Sequence, residues 1–202
     1  MFTAQPDRAG RYKVQFSDGT VMRLYKQTVQ DFGLYSGLEL TEGEYLHLQE
    51  SVKKMSAKMR AVRIVSASSV SKKDLEQRLI QKGEDAESAK QAVAWMEELS
   101  LLDDRKTAEQ IVSRCISKGY GLSRAKQALF EKRIPKEYWQ EVLEDYPDQQ
   151  DAIRGYIESH LSANPDAKEL KKVIDALLRK GHSYSAIRKA LDCAELLEDS
   201  YG

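Results

Sequence analysis

The rhythm of apolar and polar positions changes once along the chain, near residue 41. Before it, Tyr12, Val14 and Phe16 alternate with Arg11, Lys13 and Gln15, and a period of two predicts a half-buried strand. Ser17-Asp18-Gly19-Thr20 can turn the chain, because Gly accepts positive φ. Val21–Tyr25 then reads as the returning strand of a β-hairpin. An isolated hairpin is marginal in water, so this one must lean on a neighbour. Thr28–Leu40, with Gly33 and Gly37, reads as a short helix and a loop.

From Thr41 onward apolar residues recur at spacings of three and four, the mark of amphipathic helices. Leu75, Leu79 and Ile80 form one stripe, and Ala89, Val93, Met96 and Leu99 form another. Further stripes run through Ala108, Ile111 and Cys115, through Ala125, Ala128 and Leu129, and through Tyr138, Trp139, Val142 and Leu143. Pro135, Pro147 and Pro165 and the glycines at 83, 119, 121 and 181 stand at the joints. Ser71 and Asp104 suit N-caps, and Pro135 suits a first helical position.

These helices repeat. Leu79, Leu129 and Leu177 align at offsets of 50 and 48 residues. Each is preceded four positions earlier by Leu75, Ala125 or Val173. Ala89, Trp139 and Ile187 follow ten positions later, and Val93, Leu143 and Leu191 fourteen later. Every aligned position is apolar. A period near 49 accommodates about three helices per unit, and such units cover their apolar faces by stacking on neighbours. The expected fold is therefore mainly α: tandem three-helix repeats in an elongated curved array, with a small N-terminal β-hairpin. The expected divisions are a hairpin extension over 1–40 and repeats over 41–102, 103–147 and 148–202.

Charge changes this picture from a fold to a surface. The 202 residues carry 32 Lys+Arg and 32 Asp+Glu, a formal charge of zero, which excludes a uniformly basic nucleic-acid binder. The signs are nevertheless sorted. Residues 51–82 carry a net +7, 83–110 a net −5, 111–140 a net +5, 141–169 a net −6, 170–190 a net +5 and 191–202 a net −4. The basic stretches hold Lys53, Lys54, Lys58, Arg60, Arg63, Lys72, Lys73 and Arg78 in the first repeat. The second has Arg114, Lys118, Arg124, Lys126 and Arg133; the third has Lys171, Lys172, Arg179, Lys180, Arg188 and Lys189. These are the candidate binding residues.

A band of charge can be a solvated face that pairs with the adjacent acidic helix. Three recurrences also suit a partner that is itself periodic, either a nucleic-acid backbone, single- or double-stranded, or the acidic surface of a protein filament. Aromatic interleaving, which would favour single strands, is thin: Tyr120 and Phe130 in the second band and Tyr184 in the third. Phe130 lies inside the apolar pattern and reads as core.

Candidate chemistry adds little. Cys115 and Cys193 are distant, and each sits in an apolar stretch (Ile111, Val112 and Ile116 around one, Ala190, Leu191 and Ala194 around the other). Both read as buried or half-buried free thiols. His47, His160 and His182 are scattered, so no metal set is expected. No nucleophile-elbow, phosphate-loop, dinucleotide or zinc-protease motif is present. Asp103-Asp104 reads as a helix cap and Gly119-Tyr120-Gly121 as a turn. No catalytic residue, metal or cofactor is expected. Without a membrane-length apolar run or a signal peptide, the expected location is the cytoplasm.

Several stretches resemble the RecX family of regulators. Leu101-Leu102-Asp103-Asp104, running on through Ala108, Gly119-Tyr120-Gly121 and Leu129–Ile134 to Leu143, follows the order of that family's second repeat. Ser71–Leu75 through Lys82-Gly83 is similar to its first repeat. The Asp18-Gly19 hairpin and the following Phe32-Gly33-Leu34 are similar to the extension of longer members. Three departures stand out: Thr107 where an aromatic is usual, Arg133 where Gly is usual, and Ala67-Ser68-Ser69-Val70 in place of an Arg/Tyr-rich segment. The resemblance implies tandem three-helix repeats and a non-enzymatic, monomeric protein. Its partner would be the RecA recombinase, free or as a filament on single-stranded DNA, whose growth, ATPase and strand exchange it would limit. A direct DNA-binding helical protein and a helical adaptor for an unrelated protein are the alternatives.

Overall fold

The computed structural model describes residues 5–193, so Ala194 and most of the final acidic stretch lie outside the described residues. The chain divides into two compact units, Met1–Leu102 and Asp103–Gly202.

In the first unit, β1 (Arg11–Gln15) pairs antiparallel with β2 (Val21–Tyr25), Val14 opposite Met22. The turn forms as its sequence requires. Gly19 takes φ +87°, and the Asp18 carboxylate accepts from the Thr20 backbone N–H and hydroxyl, each at 2.8 Å. A short helix α1 (Lys26–Asp31) leads to the 26-residue α2 (Glu42–Ala67). Thr41 and Glu44 close a reciprocal capping box at its start. The hairpin leans on this helix: Val14 and Leu24 pack on Leu48, with Phe16, Met22, Phe32 and Leu34 around them. Farther along α2, Ala57 and Ala61 are small enough to admit α3 (Lys72–Gln81) and α4 (Ala86–Glu98). There Leu75, Leu79, Ala89, Ala92, Val93 and Met96 complete a second core.

In the second unit, α5 (Asp104–Ser117), α6 (Leu122–Glu131) and, after a 3-10 turn at Lys136–Tyr138, α7 (Trp139–Leu143) enclose Ala108, Ile111, Val112, Cys115, Ala125, Leu129 and Ile134. The indole N–H of Trp139 ties α7 to the Ile134 carbonyl at 3.0 Å. The helices α8 (Gln150–His160), α9 (Ala167–Arg179) and α10 (Tyr184–Cys193) enclose Ile153, Ile157, Val173, Leu177, Ile187, Ala190 and Leu191. Of the aligned apolar positions, only Trp139 and Leu143 are half-buried rather than buried, and both pack against their own core.

The aligned helices also end alike. The N–H groups of Glu84, Ile134 and His182 reach back to the carbonyls of Leu79, Leu129 and Leu177 at 3.1, 3.0 and 3.2 Å. The residue before each is left-handed: Gly83 at φ +90°, Arg133 at +53° and Gly181 at +89°. This pairing satisfies carbonyls that the helix end would otherwise orphan. Arg133 meets the same requirement without glycine's freedom, which costs it conformational energy.

The structure corrects four expectations. Asp103, not Asp104, is the N-cap of α5, accepting the Lys106 N–H at 3.0 Å. Asp104 is buried in the first turn, where the helix dipole favours an acid. Pro135 stands just before its turn, with ψ 138°. Cys115 is buried but Cys193 is exposed, since it falls on the outer side of α10. Phe130 is 65% exposed, because Leu129 takes the inward position beside it.

Candidate partner-binding surface

Within the second unit the turns that follow α5 and α9 touch with bare backbone. The Gly121 N–H donates to the Lys180 carbonyl at 3.0 Å and the Ser123 N–H to the Gly181 carbonyl at 3.3 Å. A Cβ on Gly121 would stand 2.1 Å from the Gly181 oxygen, and one on Gly181 would stand 2.3 Å from the Arg124 nitrogen. The first N–H groups of α6, which has no side-chain cap, are thus satisfied by the carbonyls that end α9, and opposite helix-dipole ends meet. The Tyr146 hydroxyl donates to the Tyr120 carbonyl at 2.6 Å, and burial, with Cys115 nearby, pushes its pKa up to about 12. His182 is buried at this seam. Desolvation lowers its pKa against the pull of a Gly119 backbone hydrogen bond, and Lys180 adds to the lowering. Its Nε2 has no hydrogen-bond partner among the described residues. The seam brings the second and third basic bands together, since Lys118–Arg124 and Lys180–Ser183 form its two sides.

The candidate cations divide into two groups. In the first band, Arg60 pairs with the buried Glu84 at 2.8 Å and also donates to the Lys82 carbonyl. Arg63 donates to the Tyr25 hydroxyl at 3.0 Å, tying α2 to the hairpin. Arg78 binds Asp74 at 3.0 Å and reaches Ser68; Lys72 pairs with Glu97. Lys58 lies 4.9 Å from the centre of the Trp95 ring. Lys53, Lys54 and Lys73 are exposed, with no ion pair or hydrogen bond from their ammonium groups among the described residues.

In the second band, Arg124 pairs with Glu131 at 3.2 Å, and Arg133 is exposed but not without a partner. Arg114, Lys118 and Lys126 are exposed. In the third, Lys180 lies 4.2 Å over the Tyr156 ring, which is itself stacked on His160. Lys171, Lys172, Arg179, Arg188 and Lys189 are all exposed. Neither these five nor Arg114, Lys118 and Lys126 make an ion pair or hydrogen bond with their charged groups among the described residues. Sequence sorting found the bands. It could not separate guanidiniums committed to the fold from cations open to a partner.

One set of residues escaped the sequence reading. Ile80, Phe130 and Leu178, each just after an aligned buried leucine, are 38%, 65% and 42% exposed. The available signal was their place beside the leucine, off the inward stripe. Among the described residues no three His, Cys, Asp or Glu side chains come together as a metal set, and no helix is long and apolar enough to cross a membrane.

No family model matches the chain. A protein of Chlorobaculum tepidum named "Regulatory protein RecX" is 33% identical over 143 residues, covering 69% of this chain and 88% of its own length. One of the same name from Caldanaerobacter subterraneus subsp. tengcongensis is 25% identical over 189 residues, covering 92% and 94%. A solved structure titled as that of regulatory protein RecX covers 95% of this chain and 97% of its own, with a TM-score of 0.64 and 20% identity, a likeness of fold.

Proposed function

The chain belongs to the RecX family of regulatory proteins, and from that premise we propose that it binds the RecA recombinase, free or as a filament on single-stranded DNA, and restrains filament growth, ATPase and strand exchange. It acts in the cytosol, as a binding protein rather than an enzyme. The relatives' name supports regulation; the observation that carries a surface-binding mode is the set of exposed cations without internal partners on the basic helices of every repeat. Weak contacts of this kind, one group per repeat, add when the target repeats as well, because each further contact forms intramolecularly. Such binding shifts filament assembly by favouring one assembly state over another.

The test is recombinase ATPase on single-stranded DNA with increasing amounts of this chain, paired with a titration of single-stranded DNA alone. A fall in ATPase, with weak binding to bare DNA at physiological salt, supports the proposal. Tight binding to bare DNA would favour a direct DNA binder. Indifference of the recombinase would leave an adaptor for another protein.

A further inference from the structure

Each repeat ends its α3, α6 or α9 helix with one apolar side chain turned away from its own core. Ile80, Phe130 and Leu178 are exposed while the preceding Leu79, Leu129 and Leu177 are fully buried. None of the three packs into the apolar cluster of its repeat. Scattered exposed apolar residues are ordinary and need no explanation. Three at the same register of three repeats are not scattered.

Their geometry is shared as well. The carbonyl of each accepts the N–H of the left-handed residue that closes the helix: Gly83 to Ile80, Arg133 to Phe130 and Gly181 to Leu178, all at 2.9 Å. A double-bonded helix end holds the backbone of these residues, so little conformational freedom remains to be lost on contact. Two positions further on stands a lysine every time: Lys82, Lys132 and Lys180, the C-caps of their helices. The recurring motif is thus an apolar knob with a cation at its edge, built on a rigid turn.

We infer that these knobs dock on a protein surface that presents an apolar pocket beside a carboxylate, one pocket per repeat, and that they supply the salt-insensitive part of binding. The inference rests on the proposed function, because the occupant is the repeating protein surface of the recombinase filament. Nucleic-acid bases fit less well: Ile80 and Leu178 have no π face to stack on, and only Phe130 could act as a platform. The adjoining lysines call for acidic neighbours on the partner, and the aliphatic knobs call for a pocket rather than a phosphate chain.

The experiment uses the full chain with Ile80→Gln, Phe130→Gln and Leu178→Gln, singly and together. Glutamine is a good helix former, so the helices keep their propensity. Co-sedimentation with recombinase filaments on single-stranded DNA is read at low and high salt, beside binding to single-stranded DNA alone and thermal unfolding of each variant. Each single change is expected to weaken filament binding by about threefold to tenfold, in the range of interface truncations. The triple variant is expected to lose at least about thirtyfold, by the same factor at both salts, with an unchanged melting temperature.

A triple variant that binds within twofold of the parent overturns the inference. So does a marked drop in melting temperature, which would make the knobs structural. Loss of bare-DNA binding on Phe130→Gln alone, with the filament unaffected by the other two changes, would make Phe130 a base platform and also overturn it. A parent chain that fails to sediment with filaments at any salt defeats the proposed function and this inference together, whereas a parent and a triple variant that both sediment defeat only the knobs.

Discussion

The first and third basic bands have similar charge in the sequence and opposite employment in the structure. Around α2 and α3, Arg60 neutralises buried Glu84, Arg63 fastens the hairpin through Tyr25, Arg78 holds Asp74 and Lys72 meets Glu97. Around α9 and α10, Lys171, Lys172, Arg179, Arg188 and Lys189 stand in solvent. The difference follows from what each band is built beside. The first repeat carries acids at Asp74, Glu84 and Glu97 within reach of its cations, and two of them are buried, so leaving them unpaired would be costly. The third repeat's basic helices contain one acid within residues 170–190, Asp175. Net charge therefore says little about availability; the number of buried acids nearby says more.

The largest way to sharpen this contrast is to neutralise the third band. Changing Lys171, Lys172, Arg179, Arg188 and Lys189 to Gln is expected to weaken filament binding by about thirtyfold to a hundredfold and to flatten its salt dependence, since released counterions supply that dependence. Thermal unfolding should hardly move, because exposed charges away from special sites contribute within about 0.5 kcal/mol. A melting temperature that falls steeply would erase the distinction between the bands.

The converse change is Arg60→Ala, which leaves Glu84 buried without its guanidinium. It is expected to destabilise by about 2 kcal/mol, read by urea unfolding of the full chain, with binding by the folded protein little altered. A smaller effect of opposite sign is expected from Arg133→Gly. Relief of the left-handed backbone at φ +53° should add about 1 kcal/mol of stability, offset in part by glycine's greater freedom when unfolded. If Arg133→Gly destabilised the protein, its side chain would belong with the committed cations of the first band.

The smallest effect concerns pH at the seam of the second unit. The pKa of His182 lies below its ordinary value of 6.5, chiefly through burial. Below that value the unfolded chain takes up a proton that the fold resists, so stability is lost as pH falls from about 7 and the loss levels off below the folded pKa. The melting temperature should therefore fall more steeply from about pH 7 to pH 5 in the parent than in His182→Gln. Equal slopes would remove His182 from the account.

Much of the fold is legible in the chain, for stated reasons. Period-two alternation and Asp18-Gly19 gave the hairpin away, and the aligned leucines marked the inward line of each repeat. What failed to show was direction at single positions. Phe130 belongs to an apolar run, yet a residue next to an inward leucine points about 100° away from it around the helix, and a pattern of spacings does not say which of two neighbours wins. Cys193 was misplaced for the same reason. Asp103 and Asp104 are both good caps, and only backbone geometry separates φ −146° at the first from the helix that begins at the second. As for the candidate surface, charge sorting was visible from sequence, but pairing depends on contacts across 20 or more residues, as between Arg60 and Glu84, which no local pattern records.

The contact of Gly121 with Gly181 has a consequence for shuffling the chain. Residues that occupy the N-cap position on the corresponding helices are Ser71, Gly121 and Asp166, and only the middle one lacks a side chain. A tandem duplicate of the third repeat, or a swap that set α3 or α9 in the place of α6, would drive a Cβ into a carbonyl oxygen. The three modules look interchangeable on paper, yet this joint accepts just one order, and anyone lengthening the protein would have to install glycine at each new seam of this kind.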